Sequence, residues 1–185
     1  MKGKKILKII FDVIIWTIII IATLITISTL KTRGKEVPTL FGYVPLTIKS
    51  ESMEPEIMVG DLIVSTEYNP NKRELLEGDV ISFYSEIQNQ RVVITHRIDH
   101  IININGMISY VTKGDNNKII DENQVATGDI IAVWDGFRIP YLGNAIMFIK
   151  TKVGFISCVI LPLALFFVYQ LYQFIMLLLE YKDIK

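Results

Sequence analysis

Apolar residues are distributed along this chain in two distinct ways. Two long runs, Ile9–Leu30 and Val153–Leu179, are almost continuously apolar. At ~1.5 Å rise per residue each is long enough to cross a ~30 Å hydrocarbon layer as a helix. Between them, from Lys35 to Tyr141, the pattern breaks into short alternating runs rich in β-branched and aromatic residues. These predict strands at Leu62–Ser65, Val80–Tyr84, Arg91–Asn103, Met107–Lys113 and Ile130–Trp134, separated by Gly, Asn, Asp and Pro. Gly60-Asp61, Gly78-Asp79 and Gly128-Asp129 each stand just before a strand, and these three acids read as turn residues. The expected architecture is mainly β: a small antiparallel β domain flanked by an N-terminal and a C-terminal transmembrane helix. Its divisions are 1–34 for a basic head and first span, 35–150 for the β domain, and 151–185 for the second span and a short tail.

One hairpin can be placed in register. Asn105-Gly106 lies between two strand-like runs and is the strongest short signal for a two-residue type I′ turn. In that register Ile104 faces Met107, and opposed residue numbers sum to 211. His96 then falls opposite Asp115, with Cβ atoms about 4.5 to 5.5 Å apart, within reach of an imidazole–carboxylate contact. The other histidine, His100, falls opposite Val111 without an acid partner. At ~3.3 Å per residue the two histidines are about 13 Å apart, so they cannot share a site.

Composition sharpens this picture. Hydrophobic residues make up 51% of the 185 residues, high for a soluble domain. Lys2, Lys4, Lys5 and Lys8 precede the first run, whose apolar core exceeds the ~7 to 15 residues of a cleaved signal and lacks a small-x-small site before Lys31; an uncleaved anchor is expected. Asp12 lies near the start of that run, where it can reach the interface. The second run contains Pro162, which a membrane helix accommodates with a kink, and the sole cysteine, Cys158. With one Cys and two His, neither an internal disulfide nor a Cys/His metal cluster can form. The basic head and the terminal Lys182 and Lys185 predict both ends inside and the β domain on the extracytoplasmic side. Zero formal net charge offers no basic field for nucleic acid.

The candidate chemistry centres on Ser50-Glu51-Ser52-Met53-Glu54-Pro55. A serine hydroxyl attacks only when a base removes its proton, and that base must be held in the correct tautomer. The β domain offers His96 for this role, with an unperturbed pKa of ~6.5. Lys113 would need its pKa of ~10.4 lowered by burial, and its polar neighbours argue that it is solvated.

Ser50-Glu51-Ser52-Met53-Glu54-Pro55 with Gly60-Asp61, then Gly78-Asp79-Val80, Thr95-His96-Arg97, Thr112-Lys113-Gly114-Asp115-Asn116-Asn117, Asp121 and Pro140-Tyr141-Leu142-Gly143, resembles type I signal peptidase of the endoplasmic-reticulum and archaeal subtype. The resemblance covers essentially the whole β domain. It implies a membrane-bound serine endopeptidase that removes signal peptides from exported proteins after small-x-small sites. It further implies Ser52 as nucleophile and His96 as base, where the other subtype has lysine. The family's two acids fall on Asp115 and Asp121: the resemblance leans to Asp121 as the residue that orients His96, whereas the hairpin register points to Asp115, and the expectation is Asp121 as the triad member with Asp115 in support. Oxyanion donors are implied at the Ser52 N–H and the Ser50 hydroxyl. No cofactor is required; the implied partners are signal-peptide-bearing pre-proteins, the lipid membrane and the secretion translocon. Two other readings stand beside it: a non-catalytic membrane subunit that presents exported chains, and a Ser/Lys membrane peptidase with another target.

Overall fold

A computed structural model of the chain describes residues 13, 16, 17, 20 and 37–183. The expected first span lies outside the described residues, apart from Val13, Trp16, Thr17 and Ile20, which are helical.

The alternating runs form one antiparallel sheet. Its strands are β1 (Tyr43–Thr47), β2 (Leu62–Glu67), β3 (Val80–Ile87), β4 (Gln90–Ile104), β5 (Met107–Lys113), β6 (Val125–Ala126), β7 (Ile130–Trp134) and β8 (Arg138–Ile139). They lie in the order β1-β2-β7-β3-β4-β5-β6, with β8 paired to β2. The five expected strands are all present; β1, β6 and β8 add to them. Those three are short or carry a proline (Pro45 in β1), so their alternation is too brief to stand out.

Apolar side chains from the sheet and its connecting segments gather into separate clusters. Leu75, Ile81, Phe83, Ile98 and Tyr110 belong to one, and Met53, Ile57, Ile63, Val80 and Trp134 to another. Ile81 and Val80 are successive residues of β3 and point to opposite faces, so this strand contributes to both clusters.

The Asn105-Gly106 turn forms as expected, with both residues at positive φ (54° and 85°) and Ile104 opposite Met107. A second two-residue turn, Gln88-Asn89, joins β3 to β4 with φ of 50° and 60°. It lacks glycine, and so lacks the cue that marks the first.

Of the three Gly-Asp acids, Asp61 does much more than end a turn. Its side chain is 2% exposed and accepts from Arg138 Nη1 (2.5 Å), Met58 N (3.1 Å) and Tyr141 N (3.3 Å). Burial alone would raise the carboxyl pKa, but the Arg138 and backbone hydrogen bonds outweigh it and hold the group below its ordinary value. Asp79 likewise meets Arg73 at 3.3 Å.

The sheet is followed by α1 (Leu142–Lys150), α2 (Lys152–Phe155), a π-helical stretch Ile156–Ile160 and α3 (Leu161–Asp183). From Lys152 to Leu179 this forms one helix of 28 residues, long and apolar enough to cross a membrane, and almost none of it is buried against the rest of the chain. Pro162 lacks an N–H for the carbonyl four residues earlier and its ring crowds that carbonyl. The widened turn just before Pro162 is a way to relieve both effects.

Candidate active site

Ser52 sits in a one-turn 3-10 helix, Glu51–Met53, entered through an extended Ser50 (φ −129°, ψ 159°). The turn is fixed from below by Met53, which is 1% exposed and packs with Ile57, Ile63 and Val80. The Ile57 N–H donates to the Met53 carbonyl at 2.9 Å. From the side, Asn116 donates twice: its backbone N–H to the Ser52 carbonyl (2.9 Å) and its Nδ2 to the Glu51 carbonyl (3.1 Å). Gly114 makes this approach possible, because a Cβ there would stand 2.6 Å from the Ser52 oxygen. The Ser50 and Ser52 hydroxyls lie 3.1 Å apart.

His96 lies in β4, opposite Ile81 of β3, and is 7% exposed. Phe83 meets its ring edge-on, with centroids 6.5 Å apart. Its Nδ1 stands 2.6 Å from Asp121 Oδ2. A carboxylate oxygen accepts, so Nδ1 carries the proton and the lone pair is left on Nε2. Asp121 is itself held to β5: Thr112 Oγ1 donates to the same Oδ2 at 2.6 Å, and the Asp121 N–H donates to the Thr112 carbonyl at 2.8 Å. The Ser52 turn packs against β4. Among the described residues no hydrogen bond joins Ser52 Oγ to His96; catalytic contacts of this kind often tighten only when substrate is seated.

Among the described residues no hydrogen bond or ion pair joins Asp115 to His96, and the register drawn from the hairpin does not extend to that pair. That register holds from Ile104–Met107 to His100–Val111, where opposed numbers sum to 211, but Ile98 faces Thr112 and Arg97 faces Lys113, summing to 210. Asp99 is the extra residue of a β-bulge, and a slip of one residue hands each later position a different partner. Asp115 instead receives Arg97 Nε at 2.9 Å and Nη2 at 2.8 Å. Arg97 also donates to the Gly78 carbonyl (2.8 Å) and contacts Glu56. The Asp115 hydrogen bond, helped by the charges of Asp115 and Glu56, raises the guanidinium pKa further.

His100 does have an acid partner, its own neighbour Asp99, at 3.0 Å on the surface. Lys113 stands across from Arg97 in the β4–β5 pair. Residue type and spacing do not mark Thr112, Arg97 or Asn116 as site residues; they enter only as parts of the motifs that carry the resemblance. For Thr112 the available sign was a hydroxyl at an inward position of an alternating strand, two residues from Tyr110.

The arrangement therefore contains a serine on a rigid turn and a histidine whose tautomer is set by a carboxylate. Such a pair can deliver an activated hydroxyl to an acyl carbon.

No family model matches the chain. Over 136 residues it is 40% identical to Signal peptidase I W of Bacillus subtilis (strain 168), covering 74% of this chain and 68% of that protein. It is 29% identical over 106 residues to the signal peptidase complex catalytic subunit SEC11C of Homo sapiens, 53% of each chain, and equally to that of Mus musculus.

Proposed function

Since the chain belongs to the signal peptidase I family and is a peptidase of signal-peptide processing, we propose that it cuts by a Ser52/His96/Asp121 mechanism at an extracytoplasmic membrane surface. Ser52 Oγ attacks the scissile carbonyl carbon while His96 Nε2 takes its proton. Asp121 keeps Nδ1 protonated and stabilises the imidazolium. The oxyanion is met by the Ser52 N–H and by the Ser50 hydroxyl, which then turns from Ser52 Oγ to the new charge. Collapse breaks the C–N bond, and His96 returns the proton to the departing amine, the new N-terminus of the mature protein. A water, deprotonated by His96, then releases the signal peptide from Ser52. The observation that carries this reading is the 2.6 Å contact between His96 Nδ1 and Asp121 Oδ2 beside a buttressed serine turn.

The sheet supports a binding mode as well. β3 covers one edge of β4 over its first half, whereas β5 covers the other edge only from Arg97 onward. Among the described residues no strand pairs with that second edge over Val92–Thr95, immediately before His96. A signal peptide adds there as an extended strand. Its residues one and three before the cut then point the same way, because side chains alternate along a strand; this is the spacing of a small-x-small site.

Two spans, Ile9–Leu30 and Val153–Leu179, pin the β domain to the outer surface, where signal peptides leave the lipid. Pre-proteins, the membrane and the secretion translocon are its partners. The test is to co-express the chain in membranes with a pre-protein carrying a small-x-small site and to sequence the N-terminus of the product. Cleavage by wild type, lost in Ser52→Ala and His96→Ala and kept in Lys113→Ala, is expected. Equal processing by all four would reject the mechanism in favour of a presenting subunit, and dependence on Lys113 instead of His96 would favour a Ser/Lys peptidase.

A further inference from the structure

The loop between β5 and β6, Gly114–Gln124, carries two adjacent isoleucines, Ile119 and Ile120, among residues that are otherwise Gly, Asp, Asn, Lys, Glu and Gln. They are 74% and 46% exposed. A solitary exposed apolar residue needs no explanation, but two β-branched neighbours in a polar loop at a functional site invite one.

Their position is set from both sides. Upstream, Gly114 and Asn116 abut the Ser52 carbonyl. Downstream, Asp121 is bonded to His96 and Thr112. The isoleucines therefore occupy the part of the loop that runs between the serine turn and the imidazole.

The strand layout says which part of a substrate meets them. A signal peptide on the Val92–Thr95 edge of β4 lies in line with β5, whose last residue, Lys113, opposes Arg97. Past the scissile bond the substrate cannot continue in the sheet, because β5 already fills that edge. It must rise over the loop that leaves β5 at Gly114. We propose that Ile119 and Ile120 form an apolar shelf for the first residues of the mature chain, so that the enzyme favours an apolar residue just after the cut. This inference rests on the peptidase reading above.

The experiment is an internal competition. Two pre-proteins with the same signal peptide, bearing leucine or the near-isosteric asparagine at the first position after the cut, are mixed with the full-length detergent-solubilised enzyme. Initial rates are read together by mass spectrometry. The ratio of the two kcat/KM values does not depend on how much enzyme is folded. Wild type should favour leucine by about tenfold, the low end for one apolar group in a pocket. Ile119→Asn with Ile120→Asn should bring the ratio close to one, and Ile119→Leu with Ile120→Leu should preserve it. Should the double asparagine variant fail to accumulate, each single asparagine variant should still lower the ratio. A wild-type ratio near one, or a ratio unchanged in the asparagine variants, overturns the shelf while leaving the peptidase reading intact. An equal loss on both substrates, accompanied by weaker binding to phospholipid vesicles, would also overturn it and assign the isoleucines to the membrane. If neither pre-protein were cut in a Ser52-dependent way, the peptidase reading would fall and the shelf with it.

Discussion

Around His96 a few hydrogen bonds should divide the catalytic effect unequally. In the proposed mechanism Ser50→Ala removes one oxyanion donor, so it should cost about 100-fold to 1,000-fold in kcat, without abolishing cleavage, as measured on a purified pre-protein. Thr112→Val keeps the shape of a fully buried position but deletes the hydroxyl that donates to Asp121 Oδ2. A hydrogen bond to a charged acceptor contributes about 1.5 to 3 kcal/mol, so kcat should fall at least about tenfold with little change in KM, and Thr112→Ser should restore most of it. The serine and histidine proposed as nucleophile and base are picked out in the sequence by the family resemblance, with residue type favouring His96 as the base. Between the acids, the resemblance leans to Asp121, which does meet His96, while the hairpin register points to Asp115 because a periodic pattern does not register the single extra residue Asp99.

Among the contacts that tie the secondary-structure elements around the site together are the Arg97 guanidinium and the buried Met53 side chain. Arg97 joins β4 to Asp115 of the β5–β6 loop, to the Gly78 carbonyl and to Glu56 just past the serine turn. Lysine has the charge but not the planar fork that serves several acceptors at once. Arg97→Lys should therefore lower kcat/KM and increase proteolytic nicking of the Gly114–Gln124 loop, readable by limited proteolysis. Met53→Ala, at the buried foot of the serine turn, should reduce unfolding stability by about 2 to 5 kcal/mol in urea titrations. The long strands and the Asn105-Gly106 hairpin were legible because their alternation runs for several residues and ends in a distinctive turn. β6 and β8 were not, since two residues carry no period.

Across the whole molecule, the Asp61–Arg138 pair ties the residue entering β2 to β8, the last strand before the apolar helices. Because the Asp61 pKa is lowered in the folded state, its contribution is fully present above its ordinary value of 3.8 and is lost as pH falls through the depressed value. Urea midpoints measured from neutral pH down to about pH 2 should therefore drop below 3.8 in wild type. Asp61→Asn should be weaker at neutral pH, by on the order of 3 kcal/mol, and should show a shallower fall in acid. Asp135 is also lowered, with its burial outweighed by hydrogen bonds from Arg73 and Thr66, but it is about half exposed. Solvent screens such a pair, so Asp135→Asn should shift the curve much less.

By itself the sequence determined what depends on local pattern and residue chemistry. The apolar run from Val153 is helical and long and apolar enough to cross a membrane, and the alternating runs are strands because one face of each is buried. The same holds for the residues able to do acyl-transfer chemistry and for the family they resemble. Tertiary structure alone decided that Arg97 takes Asp115 and that Asp61 is buried and ion-paired. It also decided that, among the described residues, no strand covers one edge of β4 just before His96. These outcomes depend on strand order, on one bulge and on loops folding back across the sheet, and contacts between residues far apart in the chain leave no periodic trace in it.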